Sequence, residues 1–531
     1  MQRNFLKYLC FALVVTIFGC ARRGSLTGGY KDTLAPVLKT SLPKNFTTNF
    51  KGSEIKLYFD EYVKLKNVNK QLIISPPMKN APDVLPFNAS KFITIKIKDT
   101  LRPNTTYSFN FGQSIEDYNE QNPYQQFKYV FSTGDFIDSL KLAASVEDAI
   151  EKKSKNFVSV MLYEVNENYN DSIIYKQVPQ YVTNTLDSLK TVQFENLKEG
   201  KYKLIAIKDV NSNNKYDPKT DRIGFKKEFI TLPNDSIYDL KIFKEELSFK
   251  AISLNQSAGN KLLLGYEGNP KEVKVEIKKG SEKLPVLITK YPKKDSLQVW
   301  YPSVKDDSLS IEISRNNYKK TFALKVKDQK KDTVSFTSNQ STLHFRDKFK
   351  ITSATPITSI DVSKIKLINK DSVETKFTTE YDEYNQELKL NFEKQPSEKY
   401  KLTILPKALT DYNGKTNDSI GFRFTTKSIE DYGNLKVVLE NVKRFPIIVE
   451  LTDKDGKVLA SEYSEKETVI NFDLVEPYPF TLRLIYDDNK DKTWTPGNFL
   501  EQRQSEEVIY YPKEVDVRAN WDVEQPFDVG R

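Results

Sequence analysis

Two stretches of this chain repeat at long range, and that repetition constrains the fold more than any other feature. Tyr107-Ser108-Phe109, Asp117-Tyr118-Asn119 and Phe131-Ser132-Thr133 return as Tyr400-Lys401-Leu402, Asp411-Tyr412-Asn413 and Phe424-Thr425-Thr426, offset by 293 or 294 residues. A second run, Lys203-Leu204-Ile205-Ala206-Ile207-Lys208-Asp209-Val210-Asn211-Ser212-Asn213 followed by Tyr216 and Pro218, returns 278 residues later. There it reads Thr481-Leu482-Arg483-Leu484-Ile485-Tyr486-Asp487-Asp488-Asn489-Lys490-Asp491, followed by Trp494 and Pro496. A constant offset across many positions marks duplicated supersecondary units. The chain therefore reads as two pairs of related modules, 36–135 with 335–427 and 138–245 with 428–524. An unpaired module lies at 246–334, and 525–531 is left as a tail.

The modules are written in strands. Ile55-Lys56-Leu57-Tyr58-Phe59, Phe92-Ile93-Thr94-Ile95-Lys96-Ile97, Tyr107-Ser108-Phe109-Asn110-Phe111 and Tyr129-Val130-Phe131 alternate or run apolar at strand length between Asn, Asp, Lys and Pro turns. The 29 Tyr and 32 Phe suit pleated, half-buried surfaces better than helices. The expected fold class is all-β: tandem antiparallel β-sandwiches. Thr133-Gly134-Asp135 and Thr426-Lys427-Ser428 are the whole of two junctions. Junctions this short restrict swivelling, which predicts a semi-rigid multidomain array, a rod or an arc.

Two residue types are nearly missing, and this closes off much chemistry. Both cysteines, Cys10 and Cys20, fall in the first twenty residues, so the folded part has no disulfide. The one histidine, His344, cannot make a His/Cys zinc site alone, and any Ser–His–Asp triad would have to use it. In Ser341-Thr342-Leu343-His344-Phe345-Arg346 the alternation predicts Leu343 and Phe345 inward and His344 outward on a strand. The net charge of +9 is spread over 81 basic and 72 acidic residues with no basic block, which argues against nucleic acid as a partner.

The N-terminus reads as an export signal over 1–19: Arg3 and Lys7, then an apolar centre, then Gly19-Cys20. The uncharged stretch between Lys7 and Arg22 is 14 residues, short of the roughly 20 that span a bilayer. Ile17-Phe18-Gly19-Cys20 resembles the lipobox of bacterial lipoproteins, apart from Phe18 where a small residue is usual. The resemblance implies that Cys20 is acylated and becomes the first residue of the mature protein. Residues 20–35, with three glycines and no apolar periodicity, would then be a flexible tether reaching about 20 Å. The alternative is an ordinary secreted protein with Cys20 free. The leader Ala21-Arg22-Arg23-Gly24-Ser25-Leu26-Thr27-Gly28-Gly29-Tyr30-Lys31-Asp32-Thr33 is similar to that of Bacteroidota lipoproteins with bacterial Ig-like domains. That likeness implies an outer-membrane location; surface display in that group goes with acidic residues soon after the lipidated cysteine, so Arg22 and Arg23, with no acid before Asp32, imply by the same resemblance the periplasmic face.

Lys51-Gly52-Ser53-Glu54-Ile55-Lys56-Leu57-Tyr58-Phe59-Asp60-Glu61-Tyr62-Val63, with the closing Phe131-Ser132-Thr133, resembles the bacterial Ig-like domain also found in S-layer proteins. The pair at 138–245 and 428–524 is similar to transthyretin-like sandwiches of envelope proteins. These resemblances imply spacers or binding modules and bring no catalytic residues. The expected function is thus a non-catalytic envelope scaffold with a protein partner, such as an accessory subunit of an outer-membrane assembly. The alternative is an adhesin or polysaccharide binder using Trp300, Trp494 or Trp521. A carboxylate-based glycoside hydrolase is the remaining enzyme reading.

Asp209, Asn211 and Asn213 stand at positions 1, 3 and 5 of a loop with Asp217 at 9, and Asp487, Asn489 and Asp491 repeat the 1-3-5 pattern. Alternate oxygen side chains on a tight loop can converge on calcium. The helix-loop-helix form of such a site wants Gly at 6 and Glu at 12, where this chain has Asn214 or Lys492 and Thr220 or Asn498. The same spacing also makes Asx turns that close a hairpin without metal.

Overall fold

The computed structural model describes residues 32–530 apart from 154–155, 187–189, 293 and 305–307. The expected signal, Cys20 and most of the tether lie outside the described residues. The chain divides into two compact units, one ending at Leu140 and taking in Asn196–Lys198, the other formed by Lys141–Glu195 and the chain from Glu199 onward. The architecture is all-β, as the strand pattern required.

In the first unit, Leu38–Leu42, Glu54–Leu65, Ser90–Lys96 and Asp83–Leu85 form one sheet in that order, with Ile115–Asp117 added to the far end of Glu54–Leu65. Ile73–Ser75, Thr106–Asn110 and Lys128–Ser132 form the other. Alternation decides which side chains meet between them: Ile55, Leu57, Phe59, Ile93 and Ile95 point in, opposite Phe109, Tyr129 and Phe131. Phe131 is the hub, with ring centroids at 4.2 Å from Phe50, 5.3 Å from Tyr107 and 5.9 Å from Phe109. The Tyr107 hydroxyl accepts the Arg102 amide at 2.9 Å, so the polar end of a buried ring is satisfied.

The second unit carries the copy. Phe336–Thr337, Phe349–Ser353, Glu387–Phe392 and Phe377–Asp382 pair in the same order, facing Ile365–Ile368, Lys399–Ile404 and Ile420–Thr425. Tyr400 stacks on Phe424 at 5.4 Å and its hydroxyl accepts the Gln395 amide at 2.9 Å, matching Tyr107, Phe131 and Arg102.

The other repeated pair also shares one topology. Leu140–Asp148 lies between Thr191–Leu197 and a parallel partner, Ile237–Ile242. Gly433–Glu440 likewise lies between Val469–Val475 and a parallel partner, Asp522–Asp528. The residues expected as a tail from 525 are thus part of the closing strand, with Phe527 and Val529 in the core. Two-residue spacing between inward side chains carries the apolar pattern past the last tryptophan, and that signal is short enough to pass for a tail. The unpaired 246–334 module is a sandwich of two four-stranded sheets around Leu264, Ile277, Val299 and Ile311.

Within the second unit the 138–245 and 428–524 modules meet directly. Contacts also join 246–334 to 335–427 through Asn260 and Asn413, and 335–427 to 428–524 through Arg346 and Glu462.

Candidate functional site

The strands that lead into the two Asp/Asn loops are buried on both faces: Tyr202–Ile207 in one copy, Phe480–Tyr486 in the other. Each loop then turns at paired left-handed residues, Ser212 and Asn214 in one and Lys490 and Lys492 in the other. Asp209 accepts the Asn214 amide at 2.7 Å, and Asp487 accepts the Lys492 amide at 2.9 Å and that of Asp491 at 3.1 Å. Asn213 and Asp491 each cap the amide two residues on. The Asn211 and Asn489 side chains donate to the Thr220 and Thr495 hydroxyls, and Asp217 accepts the Lys219 amide. Among the described residues no group of three or more His, Cys, Asp or Glu side chains is placed to hold a metal.

One difference between the loops lies in how the leading carboxylate is satisfied. Both oxygens of fully buried Asp487 have amide donors, whereas Asp209 Oδ1 is buried with no hydrogen-bond partner. Burial pushes the Asp209 carboxyl above its ordinary range; the amides of Asn214, Ser212 and Asn213 pull the other way, and the nearby Asp221 adds to the rise.

The tryptophans expected as platforms are mostly packed. Trp300 is fully buried and donates to the Thr289 hydroxyl at 3.0 Å. Trp494 is half-buried, its indole on the Glu506 carbonyl. Trp521 alone is exposed, at 53%, under the Arg518 guanidinium. His344 also departs from expectation. It lies outside any strand, half-buried, with Nδ1 at 3.1 Å from the Tyr432 hydroxyl, because the next module packs over it.

That packing belongs to a set of seams that reasoning from strand alternation missed. Lys203 is buried, donates to the Lys227 carbonyl and to Gln502 Oε1 (2.8 Å), and lies over the Phe225, Phe229 and Phe499 rings. Burial lowers its pKa, opposed by Asp171 and Glu228. Arg483 pairs with Glu450 and donates to the Ile150 carbonyl at 3.1 Å. The Tyr216 hydroxyl and the Phe499 amide both donate to Glu245. A Cβ at Gly497 would collide with the Phe243 ring and the Arg503 carbonyl, so the 496–504 loop needs glycine to seat. The available signal was the unbroken apolar run around Lys203 and Arg483, since strands buried on both faces lose their alternation.

A cleft of about 310 Å³ opens on the outer face of the 335–427 module, lined by Thr337, Ser338, Asn339, Gln340, Asp347, Lys350, Thr352 and Glu387. Thr337, Thr352 and Glu387 are cross-strand neighbours and form its floor. Gln340 fixes the rim: its carbonyl oxygen accepts the Lys350 amide at 2.7 Å and its nitrogen donates to the Lys348 carbonyl at 3.1 Å. Lys350 Nζ lies 3.6 Å from Glu387.

Residues 32–133 match the bacterial Ig-like domain. No curated protein matches the chain. Among solved structures, the surface layer protein SbsC, domains 1–6, is 10% identical over 91% of this chain and 67% of that one, with a TM-score of 0.16. The Bacteroides ovatus mixed-linkage glucan utilization locus protein SGBP-B is 12% identical over 70% and 93%, with a TM-score of 0.17. BcpA, the major pilin subunit of Bacillus cereus, is 10% identical over 74% and 99%, with a TM-score of 0.14. At these scores the structural similarities carry no argument about function.

Proposed function

We propose that this protein is a lipid-anchored, non-catalytic scaffold of the bacterial outer membrane, attached through acyl chains on Cys20 and presenting its sandwiches to an envelope protein partner. The observation that supports the reading best is the set of seams in the second unit. Lys203, Glu245 and Arg483 are charged groups committed to holding one module against another, a use that favours fixed spacing of surfaces. Two or more acyl chains would make attachment durable, since each buried methylene contributes about 0.8 kcal/mol. Arg22 and Arg23 favour the periplasmic face. The Asp209 and Asp487 loops serve in this reading as hairpin-closing turns, with calcium as the competing proposal.

The test is metabolic labelling with a fatty-acid analogue, followed by detergent extraction and capture of partners. Label is expected on the native protein and absent from Cys20→Ser, with envelope proteins co-purifying. Label retained on Cys20→Ser would refute the anchor, and removal of the chain from intact cells by external protease would refute the periplasmic face. Polysaccharide binding is the second reading, favoured by the polar cleft.

A further inference from the structure

We propose that the cleft on the outer face of the 335–427 module binds a short, neutral glycan segment. The inference does not rest on the anchor or on the scaffold reading.

The lining decides the ligand class. Hydroxyls from Thr337 and Thr352, the amide of Asn339, the carboxylates of Asp347 and Glu387 and the ammonium of Lys350 surround the cavity, and among the described residues no apolar side chain lines it. A ligand that matches must offer donors and acceptors all round, as a sugar does. An apolar molecule would strip water from these groups and return no hydrogen bonds. Charge narrows the class further. Lys350 stands 3.6 Å from Glu387, and Asp347 adds a second carboxylate, so the lining carries one cation beside two carboxylates. One paired cation is a poor host for a phosphate or sulfate, and an ammonium inside the cleft repels a metal ion. A carboxylate and an amide at the rim can each bridge adjacent hydroxyls.

Size and stiffness agree. About 310 Å³ is at the lower end of small-molecule sites, which run from about 300 to 1,000 Å³, so a short segment fits. The floor is a paired sheet row and the rim is tied by both ends of the Gln340 amide, so binding orders little that is not already ordered. The fold does not impose this polarity. The corresponding row of the 36–135 module, Thr40–Tyr58–Phe92, carries two aromatic rings 5.9 Å apart where the cleft has Thr352 and Glu387.

The test titrates the full chain with neutral gluco-, manno- and xylo-oligosaccharides by calorimetry, beside sulfated and phosphorylated sugars. Saturable binding to at least one neutral probe is expected. Asp347→Ala and Glu387→Ala should each weaken it about tenfold or more, as loss of a charge-assisted hydrogen bond would, with melting unchanged. Phe92→Ser, in the corresponding row of the other copy, should leave it intact. No neutral probe binding, equal binding by the cleft variants, or binding confined to the anionic sugars would each overturn the proposal. Release of new reducing ends would overturn binding without catalysis.

Discussion

The two Ig-like copies, 36–135 and 335–427, share a skeleton and differ on their outer faces. Inside, the correspondence extends to single atoms. Tyr107 and Tyr400 each accept an amide from five residues upstream, and each stacks on the closing aromatic, Phe131 or Phe424. The Thr105 and Glu398 amides donate to the hydroxyls of Thr133 and Thr426, both at 3.0 Å. Outside, Tyr58 and Phe92 in one copy stand where Thr352 and Glu387 stand in the other. The difference teaches that the interior is held by packing and hydrogen-bond satisfaction, while the outer row is free to be chosen for what it touches. The two Asp/Asn loops repeat the lesson at smaller scale, since both turn at the same left-handed positions beneath a leading Asp and differ in whether both oxygens of that Asp are satisfied.

The strongest way to break the comparison is at the hub. Phe131→Ala and Phe424→Ala each empty a fully packed site and should cost about 3–5 kcal/mol, by denaturant unfolding of the full chain followed through both copies. A large loss in one copy and almost none in the other would show that the shared skeleton is not shared energetically.

A smaller effect sharpens it at the Asp-Tyr-Asn turns. Burial works to raise the Asp117 carboxyl, but the amides of Asn122, Glu120, Gln121 and Asn119 outweigh it and hold it below the usual carboxylate range. A lowered folded pKa contributes stability that is present above the unfolded value of about 3.9 and is lost as pH falls through the folded value. Asp117→Asn should therefore cost about 1–3 kcal/mol at pH 7 and show a shallower loss below about pH 4. An acid-unfolding profile identical to that of the native chain would show that these amides do not hold the turn.

The smallest effect concerns the loops. If they are turns alone, melting of the full chain in about 5 mM calcium and in chelator should coincide. A site with a dissociation constant of about 0.5 mM would instead add about 1.4 kcal/mol, a shift of several degrees for a domain-sized unit. Such a shift, lost in Asp209→Ala and kept in Asp487→Ala, would replace the turn reading with calcium at the loop whose carboxylate has a free oxygen.

Much of the fold was legible because its signals are local. Period-two alternation marks which side chains of Ile55–Phe59 face inward, and the constant offsets of Tyr107 to Tyr400 and Asp209 to Asp487 reveal the duplications whatever the modules do in space. The polar cleft was not legible. Thr337, Thr352 and Glu387 lie on three strands, and nothing in one strand announces its neighbour's register. His344 reads as an outward strand residue because it stands between Leu343 and Phe345, and only the tertiary fold brings Tyr432 over it.

By itself the sequence determined the all-β class, the module pairs and the absence of disulfide and His/Cys metal chemistry from the folded part, because these depend on short-range pattern and on residues that are simply missing. Only the tertiary structure decided that Lys203 and Arg483 face another module, that Gln525 to Asp528 close a sheet rather than trail from it, and that the two copies wear different outer rows. The reason lies in what burial demands of a charge. A buried cation such as Lys203 is tolerable only with partners that repay its lost hydration, and its partner Gln502 stands 299 residues further along the chain, beyond the reach of any local pattern.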